Sequence, residues 1–451
     1  MAKTKMSAKP GYKCAECGWV SIQWVGRCGE CQAWGTVAEI GAPKAGSLKP
    51  GEVTTPATPI TEIDIRESVT EPTGLGEFDR VLGGGFVPGA VVLMSGEPGV
   101  GKSTLLLEVA AKCAERGTVL YLTGEESASQ VRIRASRVDA LHENLLLAAE
   151  TDLGSVLAHV EEVNPKVLII DSVQTIAAST VDGAPGGMAQ VREVAGALIR
   201  TAKARNITTI LVGHVTKDGT LAGPRTLEHL VDVVVAIEGD RHARLRLVRA
   251  TKNRYGAADE VGCFDLGDSG IRELPDPSEL FLTRRETPVA GTALTVSMEG
   301  TRPFVTEVQA LVDPTTTGNA RRAVSGLDSS RVSMVLAVLE RYANVGLKTS
   351  DTYTATVGGV RVVEPAADLA IALAVASGQR NKALPQGVVA IGELGLSGEI
   401  RRVAGIPRRL AEAHRLGFDH AIVPKDSGTV PQGMRVTEVA TITDALRVIS
   451  S

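Results

Sequence analysis

The stretch Gly96-Glu97-Pro98-Gly99-Val100-Gly101-Lys102-Ser103-Thr104 constrains this chain more than any other. It fits G-x-x-x-x-G-K-[ST], and it has the neighbours that this pattern requires. Residues 90–95 before it form a short apolar run that reads as a buried strand, and residues 105–112 after it read as a helix. Glycines let backbone N–H groups turn inward around phosphate oxygens, and a helix N-terminus adds partial positive charge. In such a loop Lys102 reaches the β- and γ-phosphates of a nucleoside triphosphate, and the Ser103 hydroxyl ligates Mg²⁺. Residues 96–104 are therefore the expected nucleotide-binding set.

Strands and helices alternate beyond the loop. Residues 118–122 form a strand that ends at Gly124-Glu125-Glu126-Ser127, with a helix after it. Residues 167–171 form an apolar strand closing on Asp171, the Walker B pattern, whose carboxylate holds Mg²⁺ through water. Residues 209–214 form another buried strand, ending at His214. This alternation predicts an α/β core with a mostly parallel sheet, helices on both faces and the ligand at the carboxyl ends of the strands. Lys102, Asp171 and the Glu125/Glu126 pair then converge on the γ-phosphate, where a carboxylate can orient and deprotonate the attacking water. Glu125 is placed ahead of Glu126 for that role; the competing reading is that acids are simply favoured in a first helical turn. His214 either senses the γ-phosphate or is an ordinary hydrogen-bonded histidine at a strand end.

Four of the six cysteines fall in one segment: Cys14-Ala15-Glu16-Cys17, ten residues, then Cys28-Gly29-Glu30-Cys31. Two C-x-x-C knuckles at this separation can place four thiolates around one Zn²⁺, which leaves no open position, so the expected zinc is structural. All three tryptophans, Trp19, Trp24 and Trp34, crowd around the knuckles. They could stack on bases, but so small a module needs aromatics for its own core, and core is the favoured expectation. Residues 1–50 carry seven Lys/Arg against three Asp/Glu, whereas the whole chain has a formal charge of −4, so no global basic field announces nucleic acid. Residues 41–60 turn to Gly, Ala, Pro, Thr and Lys without periodicity and read as a linker. With no apolar run of membrane-spanning length, no signal-peptide core and no disulfide framework, the expected compartment is the cytoplasm, with no membrane partner.

The cysteine knuckles, the loop, Glu125-Glu126 after a strand, and the pentapeptide Lys252-Asn253-Arg254-Tyr255-Gly256 together resemble the bacterial RadA (Sms) family of RecA-like DNA repair and recombination ATPases. The resemblance runs essentially end to end. That family normally has Phe where this chain has Tyr255, a departure that keeps the aromatic ring. The resemblance implies a RecA-like ATPase core using ATP, Mg²⁺ and Zn²⁺, and a ring, expected to be hexameric, that acts on single-stranded DNA and drives branch migration of recombination intermediates. A RecA-type recombinase is the implied protein partner and the nucleoid the implied location. It also makes Lys252 and Arg254 candidates to complete a neighbouring subunit's ATP site, beside Lys102, Glu125 and Glu126. In RecA-like proteins the loop after such a core strand faces the central DNA, which makes Lys217 and Arg225, in the polar loop 215–225, candidate DNA contacts along with Lys252 and Arg254. Residues 182–188, after the Walker B strand, resemble the other DNA-facing loop. The competing reading of both is an ordinary surface loop. Residues 241–249 alternate basic and apolar, and their arginines read as a wet face.

The last third begins near Pro275-Asp276-Pro277. Residues 292–300 and 303–310 read as a hairpin, and helices at 330–342 and 366–377 alternate with strands into an α+β fold. This region resembles the proteolytic domain of Lon-type proteases, which use a Ser nucleophile just after a proline and a Lys some forty residues on. Here Pro365 is followed by Ala366, and the lysine region reads Ala404-Gly405-Ile406-Pro407-Arg408-Arg409, so the acyl-transfer chemistry has no nucleophile. What remains is an expected scaffold whose useful surface is an arginine cluster: Arg401, Arg402, Arg408, Arg409 and Arg415. The expected domains are a zinc finger at 1–40, a linker at 41–60, the ATPase at 61–274 and the inactive Lon-like domain at 275–451. Two other functions compete with the motor: a nucleotide-switched scaffold that recruits recombinase, and an ATP-dependent protease, which the missing serine and lysine oppose.

Overall fold

The computed structural model describes residues 11–39, 57–62, 69–214, 226–239, 244–267, 269–283, 285–315 and 320–450. The chain divides into two compact units, Met1–Asp64 and Ile65–Ser451. In the first, strands β1 (Tyr12–Cys14), β2 (Val20–Ser21) and β3 (Val37–Glu39) form an antiparallel sheet in the order β2-β1-β3. Its small core consists of Cys14, Cys28 and Val37 with Tyr12, Trp19 and Val25 against them. The tryptophan expectation fails for two of the three. Trp24 and Trp34 are 64% and 75% exposed, and the Arg27 guanidinium lies 5.7 Å from the Trp34 ring centre. The cysteine cluster supplies the interior, so only Trp19 is needed there. It lies over Gly29, where a Cβ would come within 2.9 Å of its ring.

The second unit is built on two sheets. After helix α1 (Gly76–Leu82), the elements are β4 (Val91–Gly96), α2 (Lys102–Ala114), β5 (Val119–Thr123), α3 (Ala128–Arg137), β6 (Leu145–Ala149), α4 (Leu153–Val163), β7 (Val167–Asp171), α5 (Met188–Arg205), β8 (Thr208–His214), β9 (Val233–Glu238), β10 (Leu245–Asn253), β11 (Val261–Gly267) and β12 (Gly270–Glu273). The strands form one nine-stranded sheet, order β12-β11-β10-β9-β4-β8-β7-β5-β6. The six from β9 to β6 run parallel, and β10, β11 and β12 are antiparallel. Side chains alternate across a strand, so a strand with two buried faces must be apolar throughout. Val92 and Met94 pack with α1, α2 and α3 on one face, while Val91 and Leu93 pack with α4 and α5 on the other. Both faces of the core strands are thus covered by helices.

Strand β10 reverses one expectation. Arg244, just before it, is 70% exposed, but the strand's own arginines are not a wet face: Arg246 is buried with Val248 and Ala250, while Arg249 pairs with Glu299 at 2.7 Å. The alternate residues Leu245 and Leu247 pack against Cys263, Phe281 and Phe304, so both sides of the strand are covered. Lys252 lies on this strand as well.

The second sheet comprises β13 (Thr292–Glu299), β14 (Arg302–Pro314), β15 (Arg322–Ser325), β16 (Ser350–Thr356), β17 (Val388–Ala390), β20 (His420–Pro424) and β21 (Arg435–Val439), in the order β15-β16-β14-β13-β17-β20-β21. Two short strands, β18 (Glu393–Leu394) and β19 (Ile400–Arg401), pair separately. Helices α6 (Ser329–Ala343), α7 (Asp368–Arg380) and α9 (Ile442–Ser450) cover one face and α8 (Ile406–Arg415) the other. The hairpin is in place, with Glu299 opposite Arg302. The two sheets are joined by charge. Arg302 pairs with Glu77 of α1, both are buried, and Arg302 also donates to the carbonyls of Val261 (3.1 Å) and Pro275 (2.6 Å). Glu77 further accepts the Cys263 N–H at 2.8 Å. A buried carboxylate stripped of its arginine is costly, so these two sheets support one another's stability.

The arginine cluster of the last third needs correction. Arg409 is 2% exposed and makes a two-point ion pair with Glu364 at 2.6 and 2.7 Å. Arg415 is held by Glu412 and Asp276, Arg401 by Glu399, and Arg408 donates to the Thr301 carbonyl at 3.0 Å. Arg409 therefore leaves the expected basic surface, while Arg401, Arg402, Arg408 and Arg415 stay exposed on it. Ala366 is buried beside Ile406 and Leu410 in an apolar layer, two residues from Glu364. An ion pair between a buried arginine and a half-buried carboxylate thus stands next to the position where a protease of this fold would carry its serine.

Candidate active site

The loop between β4 and α2 is shaped by its glycines. A Cβ on Gly96 would lie 2.7 Å from both the side chain and the carbonyl oxygen of Ile237, and Gly101 holds φ 109° at the N-cap of α2. Only glycine is comfortable at either position. Lys102 is buried, and its Nζ donates to the carbonyl oxygens of Gly96 (2.9 Å) and Glu97 (3.0 Å). Burial pushes the Lys102 pKa down, against the opposing pull of Asp171 and Glu125. The ammonium thus sits inside the curl of its own loop with an anionic neighbourhood around it. Arg246 Nε donates to the Val100 carbonyl at 2.9 Å. It is a loop-supporting residue that the sequence reading missed.

The ends of β5, β7 and β8 bring the other groups together. Asp171 ends β7 and its Oδ2 accepts the Tyr121 hydroxyl at 2.6 Å. Tyr121 lies on β5 and is almost fully buried, so this hydrogen bond fixes the carboxylate from beneath. Glu125 accepts the Ser172 hydroxyl at 2.5 Å, and its Oε1 lies 3.0 Å from His214 Nε2. The His214 contact, aided by Ser172 and Lys102 against burial, lowers the Glu125 pKa to about 2. Its carboxylate is therefore ionised throughout the working pH range. Glu126 points elsewhere and pairs with Arg134 of α3. Neither glutamate caps α3, because Ser127 does so in a reciprocal pair with Gln130. The capping explanation of the acids fails on this geometry, and Glu125 and His214 form one unit. Gln174, buried beneath, donates to the His214 carbonyl at 3.4 Å.

Lys252 and Arg254 lie at the other end of the sheet. Lys252 pairs in register with Val234 and Val234 with Leu93, whereas Gly96 pairs with Ile237. The Arg254 N–H donates to the Asp232 carbonyl, and Asp232 N–H to that of Val91. From Val91 to Gly96 the strand spans about 17 Å. The pentapeptide is thus separated from its own loop by the length of β4. Loop 215–225, with Lys217 and Arg225, lies outside the described residues, as does most of the linker. Residues 182–185 are exposed, and their loop is tied to α5 by Gln190, which accepts the Ala178 N–H (2.8 Å) and donates to the Ala178 carbonyl (3.1 Å).

In the first unit, one sulfur from each of Cys14, Cys17, Cys28 and Cys31 lies within 4.8 Å of every other. The Cys14–Cys31 and Cys17–Cys28 sulfurs are 3.7 and 3.5 Å apart. Tetrahedral Zn²⁺ with Zn–S bonds near 2.3 Å needs sulfur pairs about 3.8 Å apart, so the donor set fits zinc. Cys28→Ser is expected to lose roughly one zinc per chain and to unfold the β1–β3 sheet, while nucleotide binding by the second unit persists. Metal analysis and nucleotide titration of the purified variant check both halves, and loss of nucleotide binding would contradict the independence of the two units. Ser103 and Asp171 offer the hard oxygen ligands that suit Mg²⁺.

A phosphate-binding loop on a mostly parallel, two-faced sheet, with a second α+β sheet behind it and a four-cysteine ribbon before it, defines a RecA-like P-loop ATPase with a zinc ribbon and a Lon-like domain. Family models agree: an AAA domain matches residues 77–220, a rubredoxin metal binding domain residues 12–39, and subunit ChlI of Mg-chelatase residues 359–427. The chain is 52% identical to DNA repair protein RadA of Mycobacterium tuberculosis over 98% of its length and 93% of that protein's. It is 44% identical to RadA of Streptococcus pyogenes over 100% of both chains, and 43% identical to RadA of Bacillus subtilis over 99% of both. Among solved structures, a KaiC-like protein of Pyrococcus horikoshii is similar over 46% of this chain and 100% of its own, with 24% identity and a TM-score of 0.39. The chain belongs to the RadA family of DNA repair proteins. Among the described residues no helix is long and apolar enough to cross a membrane.

Proposed function

We propose that this protein is a DNA-dependent ATPase of recombinational repair, assembled as a ring, a hexamer in the form the family resemblance implies, that moves on single-stranded DNA and drives branch migration. The observation that carries the reading is the split of the site between the two ends of β4: Lys102, Asp171 and Glu125 at one end, Lys252 and Arg254 at the other. That split keeps Lys252 and Arg254 away from their own loop and leaves them free to serve the site of a neighbour. In the proposed cycle Lys102 leaves its own loop carbonyls for the β- and γ-phosphates. Glu125, held by Ser172 and His214, orients the attacking water and accepts its proton. Mg²⁺, when bound by Ser103 and Asp171, supplies charge neutralisation. Arg254 and Lys252 of the adjacent subunit stabilise charge on the γ-phosphoryl oxygens. His214 ends β8 immediately before loop 215–225, so its contact with Glu125 is a route by which nucleotide state reaches that candidate DNA loop. The domain boundaries near 40, 60 and 275, a RecA-type partner and a place in the cytoplasm at the nucleoid belong to the same proposal.

The test is ATP turnover with and without single-stranded DNA, alongside branch migration of a three-stranded intermediate. Turnover raised by DNA, and migration that requires hydrolysis, support a motor. Turnover indifferent to DNA, with recombinase recruitment intact, supports the switched scaffold instead. Protein substrates should stay uncleaved in every case, because Ala366 supplies no nucleophile.

A further inference from the structure

The cations of the pentapeptide are held in place by a short segment just before β9, and the chemistry of that segment exceeds what a strand start requires. Lys252 Nζ donates to the carbonyl oxygens of Glu228 and Val231, both at 2.8 Å. The next residue, Asp232, is 4% exposed and uses both carboxylate oxygens. Oδ1 accepts from Arg254 Nη1 at 3.1 Å. Oδ2 accepts from Lys203 Nζ at 2.5 Å and from the Val91 N–H at 3.0 Å. Burial alone would push the Asp232 pKa up, but Lys203, the Val91 N–H and Arg254 outweigh it and the carboxyl is held below its usual range.

An arginine that must meet a phosphate across an interface loses rotamer freedom when it does so. A fixed carboxylate behind the guanidinium removes part of that cost in advance. The Arg254 side chain is 56% exposed, so its fork is still available to a ligand on the outer side, while the Asp232 side chain, 5% exposed, is shielded from one. The Asp232 carboxylate is shared between two cations, Lys203 and Arg254, so it does not by itself cancel the charge of the guanidinium. We infer that Asp232 is a positioning residue for ATP hydrolysis, which aims Arg254 at the nucleotide of a neighbouring subunit while Lys203 secures its second oxygen. This rests on the proposed role of Arg254 in trans.

The competing role is structural. Asp232 also pins the start of β9 to the start of β4 through Val91, and β4 leads to the phosphate loop of the same chain. The two roles differ in which subunit's site is damaged. Asp232→Asn is expected to bind nucleotide within about twofold of wild type and to lose about ten- to a hundredfold in DNA-stimulated kcat, as misaligned catalytic groups do. Mixed with Lys102→Ala chains, and with mixed assembly verified by co-purification of two tags, it should regain activity. At the mixed interface the Asp232→Asn chain supplies an intact loop and the Lys102→Ala chain an intact Arg254. Unchanged kcat, or a loss that mixing does not restore while Arg254→Ala is restored, overturns the inference and leaves the trans role of Arg254 standing. Failure of Arg254→Ala itself to be restored removes that role and this inference with it. Should Asp232→Asn not fold, Lys203→Met, at the half-exposed end of α5, takes its place. A several-fold fall in kcat, restored by mixing, is expected; wild-type kcat in that variant overturns the inference.

Discussion

Lys102→Ala and Arg254→Ala proteins are each expected to hydrolyse ATP in the presence of DNA at less than about a thousandth of the wild-type rate, yet mixtures of the two should regain activity. The losses have different causes. Lys102 is the buried cation of the loop, and removing it leaves the phosphates without their partner, so binding weakens as well as turnover. Arg254 sits a strand's length from its own loop, so its removal should spare binding and depress only the chemical step. Trans-acting arginines contribute on the order of 10³–10⁵-fold in well-studied triphosphatases, with the lower end expected here because Lys252 shares the task. Arginine's planar fork suits phosphate oxygens better than a point charge, so Lys252→Ala should be the milder lesion. In a mixed ring the Lys102→Ala chain supplies the arginine and the Arg254→Ala chain the loop. A steady-state assay across mixing ratios reads this directly. No recovery at any ratio, with mixed rings verified, contradicts the trans assignment.

Glu125→Gln is expected to slow hydrolysis by about 10²–10⁴-fold while leaving ATP bound, because glutamine keeps the acceptor for Ser172 but cannot take a proton. Glu126→Gln should fall far less, since Glu126 is turned to Arg134 of α3 rather than to Ser172 and His214. The pH dependence separates the roles further. With the Glu125 pKa held at about 2 by His214 and Ser172, the carboxylate does not titrate between pH 5 and 9. Any inflection of wild-type turnover there must come from another group. Normal hydrolysis by Glu125→Gln would remove this residue from the mechanism.

The core was legible in the sequence because its signals are local. A glycine-rich turn between an apolar strand and a helix, and an aspartate closing a second apolar strand, each carry their meaning within a few residues. The four cysteines do so too, since their spacing alone brings the sulfurs within reach of one ion. Partners distant in sequence were not legible. Tyr121 looks like one more apolar residue of β5, yet its hydroxyl fixes Asp171. Arg246 lies on a strand whose alternation suggests a wet face, but its face is the one shared with Val248 and Ala250, and its guanidinium turns inward to the Val100 carbonyl of the phosphate loop. Arg409 reads as one of a basic patch because Glu364, its partner, is 45 residues away. Trp24 and Trp34 were assigned to a core that the cysteine cluster already fills. For Tyr121 the burial is legible and the partner is not; for the arginines and tryptophans the residue type is legible and the exposure is not, because exposure depends on what another element covers.

The central claim is that each ATP site is shared between two chains. A particle reconstruction of the Glu125→Gln protein with ATP and single-stranded DNA tests it most directly, because the slow variant holds the assembled state. The account predicts a closed ring with DNA in its centre and Arg254 of each chain facing the phosphates held by Lys102 of the next. Monomers with ATP bound, or a ring in which the pentapeptide faces solvent away from every nucleotide, would contradict it.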